Sequence, residues 1–360
     1  MTAPATTYDL VRLIDAEGGV VASDRYALPE PAVLLARYRS MVVGRRVNDQ
    51  ASALVRQGRL AVYPSSHGQE ACQVAAAAVL RPGDWLFPTY RDSVAIVERG
   101  VDPIELFAML KGDWHCGYDP TVLKVAPQAT PLATQLLHAV GVGHAARLKH
   151  EDTVVMALCG DGATSEGDFH EALNFAAVFR APVVFFVQNN KYAISVPLAR
   201  QSAAPSLAHK GIGYGVPAVH VDGNDVAALT AVLDEAVARA ARGEGPTLVE
   251  ADTYRMQAHT NADDATRYRT SEEVEGWLLR DPLTRLRAHL TSTGVLDEAA
   301  EARFAAEADA LAARIRAGLN EDTVHDPLEL FAHVYAGGSP QLDAQAALLR
   351  DELAGPQDAR

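Results

Sequence analysis

The chemistry-bearing residues of this chain cluster at Gly160-Asp161-Gly162 and, 29 residues beyond Asp161, at Asn190 in Gln188-Asn189-Asn190. An Asp carboxylate and an Asn amide oxygen are hard ligands of the kind magnesium takes, and that ion completes its octahedral shell with water and substrate phosphates. A diphosphate is the natural third partner. The glycines beside Asp161 permit close backbone approach, and a helix beginning near Asp168 would turn its amino end toward such an anion. The plainer alternative is a Gly-Asp-Gly turn with an Asn cap and no ligand. That alternative suits Gly-Asp-Gly alone, and it weakens once an Asn-Asn pair closes the next apolar run.

Those runs are the elements that must hold the two groups. TVVMALC (153–159) is β-branched and apolar and ends at Gly160, DFHEALNFAAVFR (168–180) reads as a helix, and VVFFV (183–187) follows Pro182 and ends at QNN. Strand, helix, strand is a parallel βαβ unit, and strands apolar at every position need cover on both faces. The alternation continues through GYGVPAVHVDG (strand), DVAALTAVLDEAVARAARG (helix) and PTLVEADTY (246–254, strand). The fold class is α/β, a doubly wound and mostly parallel sheet with helices on both faces, in which ligands sit at the carboxyl ends of the strands.

Outside this centre, VRLIDAEGGVVAS carries the Gly-Gly of a small hairpin, Pro31 opens a long helical stretch, and Asp102-Pro103-Ile104-Glu105 is a capped helix start. The last third is Ala-rich, with helical spacing over 298–319. The organisation expected is an N-terminal arm (1–30), an α/β domain (31–270) and a helical C-terminal extension (271–360).

Composition narrows the function classes. With 32 Lys+Arg against 46 Asp+Glu the formal charge is −14, which argues against sequence-independent nucleic-acid binding. Hydrophobic residues make up 48% of the chain, enough for a large core and too many for a disordered chain. Cys72, Cys116 and Cys159 are odd in number and far apart, so neither a disulfide framework nor a structural zinc site is indicated. No apolar run reaches the ~18 residues of a membrane span, and the start lacks a signal or transit pattern. The expectation is a cytoplasmic protein with no membrane or nucleic-acid partner.

The stretch GDGATSEGDFHEALNFAAVFRAPVVFFVQNNKYAIS resembles the α subunit of the thiamin diphosphate-dependent decarboxylating (first) component of 2-oxo acid dehydrogenase complexes. The likeness runs on through GQEACQVAAAAVL, LFPTYRD, PLATQ, VDGNDV, GPTLVEADTYR, HTNADDATRYR and DPLTRLR, from about residue 30 to about residue 335. SEGD, NFAA, NKYAIS and PLATQ look more like the branched-chain enzyme than the pyruvate enzyme.

The resemblance implies a residue-by-residue assignment. Asp161, Asn190 and the carbonyl of Tyr192 would bind magnesium, while Gly160, Gly162 and Ala163 would line the diphosphate. Tyr90 and Arg91 match the family's Tyr-Arg pair, and Arg255 a second phosphate arginine. Leu132 matches the aliphatic residue that props thiamin in its bent form. His259 matches the active-site histidine that steadies the bound intermediate and assists acyl transfer. His115 aligns with a histidine in the corresponding loop of bacillar pyruvate enzymes, a candidate for proton transfer. Thr134 and Gln135 match positions that hold potassium in the branched-chain enzyme, but Ala129 replaces its ligating serine, so the potassium match is incomplete. His67 matches no catalytic role and reads as a cap or surface residue. Thr260 stands where mammalian relatives carry a regulatory serine, so kinase control is unsupported.

The activity so implied is oxidative decarboxylation of a 2-oxo acid, 3-methyl-2-oxobutanoate favoured over pyruvate, with reductive acylation of the lipoyl group of the acyltransferase component. In the resembled enzymes an essential glutamate comes from a β subunit, and this sequence offers no second sheet domain to supply one. A two-α, two-β assembly is therefore expected, the C-terminal extension packing on the domain and on partner subunits. Alternatives are a pyruvate or acetoin dehydrogenase α subunit and, in other classes, a catalytically silent scaffold or a magnesium phosphohydrolase. The last would want a second acid two residues after its nucleophile, where this chain has Ala163.

Overall fold

In the computed structural model, which describes residues 8–112, 116–320 and 326–355, each of the long apolar runs becomes a strand. Along the chain come α1 (Pro31–Arg56), α2 (Glu70–Ala78), β1 (Trp85–Phe87), α3 (Ser93–Glu98), α4 (Pro103–Lys111) and α5 (Pro120–Leu123). Then follow α6 (Thr134–Lys149), β2 (Val155–Gly160), α7 (Gly167–Phe179), β3 (Val183–Asn189), β4 (Tyr192–Ala193) and β5 (Val196–Pro197). The remainder is β6 (Ala218–Asp222), α8 (Val226–Ala241), β7 (Thr247–Asp252), α9 (Ser271–Leu278), α10 (Pro282–Ser292), α11 (Glu298–Asn320) and α12 (Pro340–Ala354).

Among the described residues the main sheet has five strands in the order β1-β2-β3-β7-β6, all parallel, as the sequence predicts. Its period-2 geometry sends alternate residues to opposite faces. Val155, Ala157 and Cys159 of β2 join Val183, Phe185 and Val187 of β3 under α6 and α7. Met156 and Leu158 join Val184 and Phe186 on the other face, in one core with α1, α2 and α8. Phe185 and Phe186 are both fully buried, and each contributes about 2–3 kcal/mol of apolar transfer free energy. Truncating either to Ala would cost about 3–5 kcal/mol through the cavity it leaves.

The helix signals act as their chemistry requires. Asp102 accepts from the Ile104 N–H at 2.8 Å ahead of Pro103, so proline occupies a position whose N–H would be orphaned anyway. The N-terminal hairpin closes through Asp15 N–H donating to Gly19 O at 2.8 Å, with Gly18 at φ +91°, a conformation that favours glycine. Val11 then pairs in parallel with Val221 beside β6. The chain divides into two units between Leu319 and Asn320, so α9 and α10 belong to the same unit as the sheet. The second unit contains a short 3-10 turn at Pro327–Phe331, capped by Asp326, and α12.

Candidate functional site

β2 and β3 pair in register with Gly160 beside Gln188, which brings the residues just beyond their carboxyl ends together. Asn190 N–H donates to Asp161 Oδ1 at 3.3 Å. The pocket at these strand ends is lined by Tyr90, Arg91, Leu132, Gly160, Asp161, Gly162, Ala163, Asn190, Tyr192, Arg255 and His259. These residues, named from the sequence, thus surround one cavity; Thr134 of the potassium match is not among the lining residues, and His115 lies outside the described residues. His67 is not among the lining residues; its ring contacts the Gln257 amide at 3.1 Å.

The local backbone explains how Tyr192 reaches the site. Lys191 has φ +77° and Ile194 φ +55°; the second is a β-branched residue in the left-handed region, a strained choice that marks functional loops. Between them Tyr192 and Ala193 pair with Val196 and Pro197 in the β4–β5 hairpin. A Cβ on Gly162 would sit 2.7 Å from the Ala193 Cβ, so this glycine is required where the hairpin crosses the Asp161 turn. A 3-10 turn, Gly162–Ser165, follows Asp161 directly, and α7 begins only at Gly167.

A divalent cation fits the oxygens present. The Asn190 amide oxygen lies 3.1 Å from the Tyr192 carbonyl oxygen and 3.2 Å from Asp161 Oδ1. The amide oxygen is repelled by both of these acceptors unless a cation joins them. An octahedral magnesium shell with oxygens at about 2.0–2.1 Å places neighbouring ligands about 3 Å apart, which matches this spacing. Among the described residues no three His, Cys, Asp or Glu side chains converge, so a soft-metal site is not what these strands build. Burial pushes the Asp161 carboxyl above its ordinary range, partly offset by the Gln201 amide donating to Oδ2 at 2.8 Å.

An anion fits the arginines beside these oxygens. Arg91 and Arg255 are 5% and 1% exposed, yet among the described residues neither meets a carboxylate at salt-bridge distance. Arg91 donates to Ser65 O at 2.9 Å and His259 O at 3.0 Å. Arg255 donates to Tyr192 O at 3.1 Å and Ile194 O at 2.6 Å, and its Nε is buried without a partner. Such cationic forks, held by carbonyls and left without counter-charge, are suited to phosphate oxygens. The His259 Nδ1 lies 3.0 Å from Arg91 Nη2 and 3.4 Å from Arg255 Nη1. Guanidinium groups only donate, so Nδ1 is the acceptor and the ring proton belongs on Nε2. Burial first, then the two arginine charges, lowers the His259 pKa to about 4.

Reading the sequence alone misses Gln69, Asp92 and Gln188 in the lining and Gln201, which bonds to Asp161. Gln188 adjoins the Asn-Asn pair and could have been noticed; the others carry no local signal. Leu132 is 41% exposed at the pocket. Gln135 of the incomplete potassium match donates to Leu158 O at 2.8 Å, and Ala129 presents no side-chain oxygen.

Fold and site together place a pocket lined by buried arginines and by carboxylate, amide and carbonyl oxygens at the carboxyl ends of a parallel α/β sheet. The chain belongs to the dehydrogenase E1 component family, whose model matches residues 38–318. It is 49% identical over 346 residues to the 3-methyl-2-oxobutanoate dehydrogenase subunit alpha of Mycobacterium tuberculosis, covering 96% of this chain and 94% of that one. It is 36% identical over 337 residues to the pyruvate dehydrogenase E1 component subunit alpha of Acholeplasma laidlawii, 92% and 96% of the two chains. The corresponding Staphylococcus aureus subunit is 39% identical over 292 residues, 81% and 79% of the two chains. The sequence resemblance and the family agree, and the chain is an oxidoreductase of this family.

Proposed function

We propose that this chain is the α subunit of a thiamin diphosphate- and magnesium-dependent 2-oxo acid dehydrogenase acting on branched-chain substrates of the 3-methyl-2-oxobutanoate type. The observation that carries the reading is the meeting of the Asp161, Asn190 and Tyr192 oxygens with Arg91, Arg255 and His259 in one pocket. Bound thiamin diphosphate supplies the electron sink that lets carbon dioxide leave a 2-oxo acid and the acyl group pass to a lipoyl disulfide. Asp161, Asn190 and the Tyr192 carbonyl hold the magnesium. Gly160, Gly162, Ala163, Tyr90, Arg91 and Arg255 surround the diphosphate, and Leu132 supports the thiamin. His259 is neutral at physiological pH while the two guanidinium groups face it alone. Nδ1 stays the acceptor for the two guanidinium groups, so His259 would act through Nε2–H, donating a hydrogen bond to the bound group during acyl transfer.

The catalytic carboxylate and part of the substrate pocket come, in this reading, from a β subunit in a two-α, two-β assembly, with a lipoyl domain as the further partner. "Subunit alpha" in the names of the relatives supports a second chain. The identity of 49% to the 3-methyl-2-oxobutanoate enzyme, against 36% and 39% to the pyruvate enzymes, supports the branched-chain substrate. One or two methyl groups are worth about 1–3 kcal/mol in a pocket. The co-expressed assembly should therefore prefer 3-methyl-2-oxobutanoate to pyruvate by about tenfold or more in kcat/KM. A preference for pyruvate would overturn the substrate and leave the site assignment standing. Decarboxylation by the chain alone would overturn the assembly.

A further inference from the structure

Asn190 has two ways to present its amide. One turns the oxygen toward Asp161 and Tyr192. The other turns the NH2 there, where it would donate to the Tyr192 carbonyl and Asp161 Oδ1 at 3.1 and 3.2 Å. Considered locally, the second is the better hydrogen-bonding choice. The network behind Asn190 decides otherwise.

Asn190 Nδ2 donates to Gln69 Oε1 at 3.0 Å, Gln69 Nε2 donates to Gln188 Oε1 at 2.9 Å, and Gln188 Nε2 donates to Asp92 Oδ1 at 2.7 Å. The other Asp92 oxygen accepts from the Thr89 N–H at 2.7 Å. Asn190, Gln69, Gln188 and Asp92 are 6%, 2%, 2% and 0% exposed, so bulk water cannot repair a mismatch. Turning Asn190 alone would set its oxygen against Gln69 Oε1. Turning Gln69 and Gln188 in sequence only moves the clash along, until an amide oxygen faces the Asp92 carboxylate. A carboxylate can only accept, and a buried acceptor left facing another acceptor forfeits its hydrogen bond with no water to replace it.

We propose that Asp92, through Gln188 and Gln69, is a polarity anchor that fixes the Asn190 amide oxygen toward the metal position, making these three positioning residues for the cation site. The inference rests on the magnesium reading above and deepens it. The ligand set is ordered from behind, by a row of amides aligned head to tail from one acid.

This makes an isosteric substitution unusually informative. In Asp92→Asn the Thr89 N–H requires an oxygen at its side of the new amide, so the NH2 must face Gln188. Every amide in the row then reverses, and Asn190 turns its NH2 to the metal position. Placing the acid one step along, in Asp92→Asn with Gln188→Glu, restores the original polarity, because the relocated carboxylate accepts from the amide before it and from Gln69 after it. Asp92→Asn with Gln69→Glu restores it as well, the carboxylate now accepting from both Gln188 and Asn190.

The test is Mn2+ binding followed by electron paramagnetic resonance, with thiamin diphosphate present, on the full chain in its co-expressed assembly. Thermal midpoints of the metal-free proteins are measured alongside. Asp92→Asn should weaken Mn2+ binding by about 10–100-fold, the range for partners of metal ligands, and either double variant should return it to within about threefold of the parent. Parent-like affinity in Asp92→Asn would overturn the proposal. So would equally weak binding in that variant and in both doubles. If Asp92→Asn does not fold, parent-like affinity in a double variant supports the relay and weak affinity in both overturns it. Failure of the parent reading looks different: Mn2+ affinity would be unmoved by Asp161→Ala.

Discussion

Arg285 and Arg91 are buried to a similar degree, 3% and 5% exposed, in opposite electrostatic surroundings. Arg285, on α10, donates to Asp222 Oδ2 at 3.0 Å, stands 3.6 Å from Asp225 Oδ2 and reaches the Ile14 carbonyl. Asp225 in turn accepts from the Leu13 and Ile14 N–H groups at 2.7 and 2.8 Å. Arm, sheet end and α10 are joined there by charges that answer one another. Arg45 likewise meets Glu70 and Asp281. At the pocket, among the described residues, Arg91 and Arg255 donate to carbonyls, a phenol and a histidine and meet no carboxylate, while beside them the Asn190 amide oxygen crowds the Tyr192 carbonyl and Asp161 Oδ1. One network balances its charges within the chain; the other would do so only with the anion and cation of the proposed function bound. Burial alone would not separate them, but the balance of charge does.

The largest effect should fall on the closed network. Arg285→Met leaves Asp225 without its cation, while Asp222 keeps Arg12 at 2.8 Å, and removing one partner of a buried ion pair costs about 3–5 kcal/mol. Urea unfolding should register that loss, whereas a change below about 1 kcal/mol, the size of an exposed pair, would mean that the network contributes little. Asp161→Ala tests the open network. Magnesium-dependent thiamin diphosphate binding by the assembly should fall by more than about 100-fold, beyond the range for outer partners, while the ligand-free thermal midpoint holds or rises as oxygen crowding is relieved. Unchanged affinity in calorimetry would remove the cation from this site. Arg91→Lys keeps the charge and loses the fork. Its expected loss is about tenfold in diphosphate affinity, or about 1.4 kcal/mol, and equal affinity would show that a point charge suffices.

The smallest effect is in pH. His259 binds its proton less readily in the folded chain, with a pKa of about 4 against an ordinary 6.5. Its contribution to stability is therefore complete above pH 6.5 and is lost as pH falls toward 4. His259→Gln should flatten that part of the acid limb, by a modest amount because the ring is only half-buried. An identical stability slope in both proteins would remove His259 from the acid response.

The sheet and the residues proposed as ligands were legible because their signals are local. VVFFV and TVVMALC are apolar at every position, and Asp161 and Asn190 stand immediately beyond them. Chain order could not show the row from Asp92 to Asn190, whose members come from the starts of α2 and α3 and the end of β3. A glutamine reveals nothing by its type; only the partners say which way it points. Gln201 was hidden for the same reason, since it reaches Asp161 from 40 positions away. The turn at Ile194 runs against its own propensity, and such departures gather where a loop is held for a task.

The parallel bridge between Val11 and Val221 has a counterpart at the far edge of the sheet, where Leu86 pairs with Val125. The Val11 N–H donates to His220 O at 2.9 Å, and the Ala126 N–H donates to Leu86 O at 2.8 Å. Each outer strand, β6 and β1, thus has part of its open hydrogen-bonding edge occupied by a short piece of the same chain. An unprotected edge is a template for stray strands and for fibrillar growth. With a plug at either side, this sheet has little to offer a neighbouring strand, and growth by strand addition is blocked at the points where it would begin.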